Sequence, residues 1–164
     1  MNRFKLGGMI ASSLAADDRA GSSRVAVARL VDFFESLTPE GLQQLDAFYT
    51  PHAYFKDPFN EVRGLAEVRR IFSHMFVSLE RPRFVVTDSI VDGDQCFLTW
   101  NFEFHFRRFD RATLHTVRGG SHLKLTADGR VDFHRDYWDA AEELYEKLPL
   151  LGGLMRWLRK RANQ

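Results

Sequence analysis

The hydrophobic period of this chain switches at about residue 80, and that switch limits what it can fold into. Up to about Leu79 the apolar residues recur at spacings of three and four. From Arg83 to about Trp138 they alternate with polar ones. The first pattern is that of helices with one buried stripe, the second that of half-buried strands. Val25, Ala28, Leu30, Val31 and Phe34 predict a helix over Arg24–Leu37. Thr38-Pro39-Glu40 follows, with Thr38 as N-cap and Pro39 in the first turn of a short second helix that buries Leu42, Leu45 and Phe48. Pro51 ends that helix, and Ala53–Asp57 alternates as a short strand. Asp57-Pro58-Phe59-Asn60 has turn chemistry, and Gly64 precedes a third helix, Leu65–Leu79.

Four strands are then expected: Arg83–Val91, Gln95–Arg108, Leu114–Thr126 and Arg130–Trp138. Asp92-Gly93-Asp94 and Ala127-Asp128-Gly129 are tight-turn signals between them. Strands joined by short turns pair antiparallel. Helices ahead of such a sheet imply an α+β domain with the helices on one face. A curved sheet has a concave side, and where helices fill only part of it a cavity remains for a small molecule.

Composition narrows the class further. At 164 residues the chain is one ordinary domain. No apolar run approaches the ~18 residues of a membrane span. The formal charge of +1, from 23 basic and 22 acidic residues, gives no reason to expect nucleic acid as a partner. Aromatic residues make up 13%, with 15 Phe. The lone Cys96 can form neither an intrachain disulfide nor a zinc site, and its apolar neighbours predict inert core packing. Residues 1–23 contain Arg3, Lys5 and a Ser13-Leu14-Ala15 triplet, but Gly7, Gly8, Ser12 and Ser13 dilute the apolar stretch. A flexible tail and a cytoplasmic protein are therefore expected, rather than a signal peptide. At the other end, a helix over Asp139–Leu148 precedes Pro149. Residues 149–164 then form a basic amphipathic helix with Arg156, Arg159, Lys160 and Arg161. Packing on the protein, not membrane contact, is its expected role.

Three features together resemble the nuclear transport factor 2-like superfamily: the order of elements, Ala-Tyr-Phe-Lys-Asp-Pro at 53–58 with Gly64 before the third helix, and His134-Arg135-Asp136-Tyr137-Trp138-Asp139. The SnoaL-like, ketosteroid isomerase-like and limonene epoxide hydrolase-like branches are the most similar. The resemblance covers about Val25 to Leu148, so the domain is set at 24–148. It implies a cone-shaped α+β fold, a curved sheet wrapped on three helices. The superfamily holds both enzymes and pure binders, so two functions stay open. One is a cofactor-independent acid–base enzyme, an isomerase, cyclase or epoxide hydrolase, acting on an apolar small molecule. The other is a non-catalytic module that binds a small molecule or a partner protein.

The resemblance also implies site residues. Asp57 matches the Asp-Pro that supplies the base in ketosteroid isomerase. The two oxyanion-hole positions of that enzyme fall on Phe33 and Ser121, which leaves no strong donor pair. Asp136 matches the catalytic Asp of limonene epoxide hydrolase. The bridging Arg-x-Asp pair of that enzyme falls on Asn101 and Glu103, and its water-holding pair on Phe55 and Asp57. Asp57, Glu103 and Asp136 would then be carboxylates around one cavity, with His134 as a hydrogen-bonding neighbour and Trp138 lining the pocket. The residues alone allow plainer roles: a turn cap for Asp57, and a salt bridge to Arg135 or Arg118 for Asp136. No metal is expected, because no tight His/carboxylate cluster appears.

Strand parity leaves one point open. Asn101, Glu103 and His105 share one face of their strand, and Trp100, Phe102, Phe104 and Phe106 share the other. The resemblance puts Glu103 in the cavity and four aromatics outside, where a homodimer would cover them. Hydrophobic burial puts the aromatics inside.

Overall fold

A computed structural model describes residues 21–107 and 111–140. Of the flexible tail expected over residues 1–23, residues 1–20 lie outside these and residues 21–23 are helical; the helix over Asp139–Leu148 and the basic C-terminal helix also lie outside, apart from Asp139 and Ala140. Helix α1 spans residues 21–35, and so begins ahead of the expected Arg24. A 3₁₀ helix, Gly41–Ala47, takes the place of the expected short second helix. Thr38 caps it as predicted: its Oγ1 accepts from the Gly41 N–H at 3.0 Å. Helix α2 is Leu65–Ser78.

The strands are β1 (Tyr49–Lys56), β2 (Glu61–Arg63), β3 (Leu79–Asp92), β4 (Gln95–Phe106), β5 (His115–Leu125) and β6 (Val131–Tyr137). They form one curved, unclosed sheet in the order β2-β1-β6-β5-β4-β3. Strands β3 to β6 are the antiparallel meander that the turn signals predict. Gly93 and Gly129 sit in its turns with φ of 59° and 81°, where a side chain would be strained. The sheet is mixed, because β1 lies parallel to β6 on the far side of the meander. Pro51 sits inside β1, within the register shift between Tyr49 and Tyr54. A bulge is where a strand tolerates a residue without an N–H.

Helices α1 and α2 and the 3₁₀ helix cover the concave face. Val27, Leu30, Leu45, Val68, Cys96, Leu98, Leu123 and Val131 belong to one buried cluster, each at most 3% exposed. Cys96 is free and buried, as its neighbours predict. Burial pushes its thiol up to about 11, which keeps it protonated at neutral pH.

The parity question is settled by burial. Trp100 and Phe104 are 6% and 3% exposed, and with Phe102 and Phe106 they line the interior. Four large rings inside remove far more apolar surface from water than Asn101 and Glu103 could. The placement of Asn101 and Glu103 in the cavity is therefore corrected: they lie on the outer face. There Glu103 accepts from Arg83 Nη2 at 2.8 Å. The aromatic patch that would have called for a dimer is the cavity wall instead. The outer face keeps a smaller apolar set, Ile90, Phe97 and Tyr137.

Candidate functional site

The interior cavity has a volume of about 420 Å³. Seven Phe and two Trp are among the eighteen residues that line it. Asp57 and Asp136 are its two carboxylates, and no Lys or Arg lines it among the described residues. A smaller, deeper recess continues behind Trp100, where Ser121, His134 and Asp136 meet Phe34, Phe84 and Leu98.

Register explains how the polar residues converge. Trp100 pairs with Gly119 across β4 and β5, and side chains opposite one another share a face. A Cβ on Gly119 would come within 2.4 Å of the Trp100 ring. The glycine thus lets the indole lie flat over β5 and reach two residues along. There its Nε1–H donates to Ser121 Oγ at 2.8 Å. Ser121 pairs with Asp136 on β6 and donates to its Oδ1 at 2.5 Å. Two residues earlier on the same face, His134 Nε2 lies 2.7 Å from the same oxygen. On its other side, His134 Nδ1 lies 2.6 Å from the Tyr49 hydroxyl.

The proton positions in this chain follow from its members. Tyr49 is fully buried, and burial first, then the Asp136 charge, hold its phenol well above the usual range. It therefore stays O–H, and with His134 as the Nε2–H tautomer it donates to Nδ1. A neutral imidazole with Nδ1 accepting carries its proton on Nε2, which donates to Asp136. Every buried polar group in the run Tyr49–His134–Asp136–Ser121–Trp100 is satisfied with one carboxylate charge. Both donors to Asp136 use Oδ1, and no described residue hydrogen-bonds Oδ2. The His134 ring is also held by aromatic contacts, 4.8 Å from Phe55 and 6.0 Å from Tyr49 between centroids.

Asp57 is held differently. Its Oδ1 accepts from the backbone N–H of Phe59 at 2.7 Å and of Asn60 at 2.6 Å, and the Asn60 side chain bonds both carboxylate oxygens. It caps its own turn, the plainer of its two expected roles, while still lining the cavity with Asp136. Phe55 and Trp138 line the cavity, and Phe59 packs edge-on against Trp138 at 5.2 Å. Phe33 does not line it; it is buried and stacked on Phe48 at 4.1 Å. Among the described residues, Asp136 is bonded by Ser121 and His134 and by no arginine. Among the described residues no group of three or more His, Cys, Asp or Glu is placed to hold a metal. No described helix is long and apolar enough to cross a membrane.

Sequence reasoning missed Tyr49 and Gly119. Tyr49 stands at the helix-to-strand boundary, where periodicity is mute. The signal for Gly119 was present: paired glycines inside a strand mark a close approach by a neighbour.

Fold and site together define a cone-shaped α+β pocket protein, with one wired carboxylate in an aromatic cavity. The chain belongs to the SnoaL-like domain family, whose model matches residues 30–134, and so to the nuclear transport factor 2-like superfamily. No curated protein matches the sequence significantly. Three solved structures share the fold. A candidate SnoaL-like polyketide cyclase from Jannaschia superposes with a TM-score of 0.63 at 19% identity, over 74% of this chain and 88% of that one. A limonene epoxide hydrolase-like epoxide hydrolase from M. tuberculosis gives 0.61 at 16% identity, over 85% and 97%. A protein of ketosteroid isomerase-like fold from Catenulispora acidiphila, solved in complex with trimethylamine, gives 0.61 at 14% identity, over 73% and 88%. At such identities the likeness shows the fold alone.

Proposed function

We propose that this protein is a cofactor-independent acid–base enzyme of the isomerase, cyclase or epoxide-hydrolase type, acting on an apolar small molecule in the cavity. One observation carries the reading: the Asp136 carboxylate lines a cavity otherwise walled mainly by aromatic rings, with both its donors on one oxygen. Its second oxygen is the base, taking a proton from an activated carbon or from a water. Ser121 and His134 hold the carboxylate in place, and Tyr49 holds the tautomer of His134. Asp57, which lines the same cavity, is the second carboxylate and receives or returns a proton. Glu103, on the outer face, has no part in it. A cytoplasmic setting and a homodimer through the outer face belong to the same proposal. Ile90, Phe97 and Tyr137 are the apolar residues offered there, and sedimentation of the full chain checks the dimer.

Asp136→Asn tests the reading. Ligands found by thermal shift are incubated with the protein in D₂O, and exchange of their C–H protons, or product formation, is followed by NMR. The variant is expected to bind within a few-fold of wild type and to lose exchange or turnover by ~10²–10⁴. If wild type and variant bind alike and neither exchanges nor converts any ligand, the fold serves as a binding module.

A further inference from the structure

We infer that the ligand of this cavity carries a positive charge: an amine or quaternary ammonium on an apolar body. The inference rests on the reading above only in taking this cavity as the site.

The first argument is charge. Asp57 and Asp136 both line the cavity, and no described lining residue is Lys or Arg. Two bases line the adjoining groove at its mouth, and both have partners. Lys56 is ion-paired with Glu61, and the Arg135 guanidinium lies 4.7 Å from the Tyr137 ring centroid. His134 gives Asp136 a hydrogen bond, but in the neutral form it brings no charge. Among the described residues, an anionic ligand inside the cavity would meet two carboxylates, with Lys56 and Arg135 outside it in the adjoining groove. A cationic one would neutralise them against aromatic walls.

The second argument is the walls. Phe84 stands at 89° to Trp100 and Phe104 at 83° to Phe106, with centroids 5.8 and 5.2 Å apart. These are edge-to-face pairs within a wall of seven Phe and two Trp, and aromatic faces attract ammonium groups through their negative charge, an attraction that grows when the cation is stripped of water.

The third argument is the shortage of donors. The Trp100 N–H is committed to Ser121, the Ser121 hydroxyl to Asp136 and the Asn60 amide to Asp57. Negative charge developing on a carbonyl or alkoxide beside Asp136 would find no uncommitted donor among these; the other described donors of the lining are the indole N–H of Trp138 and the His74–Ser78 pair on α2. A substrate with its own cation near the reacting atoms supplies that stabilisation itself.

The test uses two probes of one shape that differ by a charge, choline and 3,3-dimethylbutan-1-ol, titrated into the full chain by NMR. Choline is expected to bind at least about tenfold tighter. Asp57→Asn and Trp138→Leu should each narrow that ratio while leaving the alcohol nearly unchanged. Equal binding, tighter binding of the alcohol, or no binding of either at 10 mM overturns the inference. The first two of these outcomes leave acid–base chemistry on a neutral ligand standing. Choline preference without C–H exchange by wild type on any ammonium ligand supports the charge inference while counting against the acid–base reading.

Discussion

The two halves of β4 face the same concave side, yet they do opposite things. Over its first half, Cys96, Leu98 and Trp100 are sealed under the helices with Leu30, Leu45 and Leu123. Over its second half, Phe102 and Phe106 are only partly buried and face open space, with Phe104 buried between them. The first half is a packed core and the second a wall. The difference teaches that the cavity comes from coverage, not from a change in residue chemistry along the strand. Aromatic rings suit the wall because large rigid side chains keep their positions without neighbours on every side. Trp100 and Ser121 sit at the junction, where the core stops and the hydrogen-bonded carboxylate begins.

Truncations on either side of this junction should separate core from wall. Leu123→Ala, at a fully buried position, is expected to cost ~2–5 kcal/mol in chemical denaturation. Phe102→Ala removes a larger side chain but should cost only about 1 kcal/mol, because its ring already borders empty space. Equal losses would mean that the cavity collapses in solution. Gly119→Ala strikes the junction itself. Its methyl group would displace the Trp100 ring, costing about 1–3 kcal/mol and shifting tryptophan fluorescence. It should also impair any Asp136-dependent turnover, which a purely local strain would spare. Tyr49→Phe leaves His134 Nδ1 without its donor, at a cost of about 1–3 kcal/mol. Its distinguishing mark is a changed pH profile of turnover, because the histidine tautomer is no longer fixed.

The smallest effect lies far from the junction, in the β5–β6 turn. Hydrogen bonds from Thr126, then from Arg130, hold exposed Asp128 down at about 2, against 3.8 ordinarily. A lowered carboxylate stabilises the fold above its unfolded value and loses that contribution as pH falls through its folded value. Asp128→Asn should therefore lower Tm slightly at neutral pH, and the gap to wild type should close between about pH 4 and pH 2. A gap that persists at pH 2 would assign the effect to turn geometry rather than charge.

The residues themselves determined the α+β class, the meander and its turns, the Thr38 cap and the burial of Cys96, because these follow from nearest-neighbour periodicity and local hydrogen bonding. The resemblance carried by residues 53–58 and 134–139 brought Asp57 and Asp136 to one cavity, and the structure keeps them there. What only the tertiary structure decided were matters of facing and long-range pairing. Glu103 and Trp100 lie three residues apart on one strand, and alternation alone assigns them to opposite faces without saying which is inside. The competition between four rings and one carboxylate for the interior settled it. The parallel pairing of β1 with β6 brings Tyr49 to His134 across 85 residues of chain, a distance no local pattern spans. Gly119 acquires its meaning only from the indole lying across it.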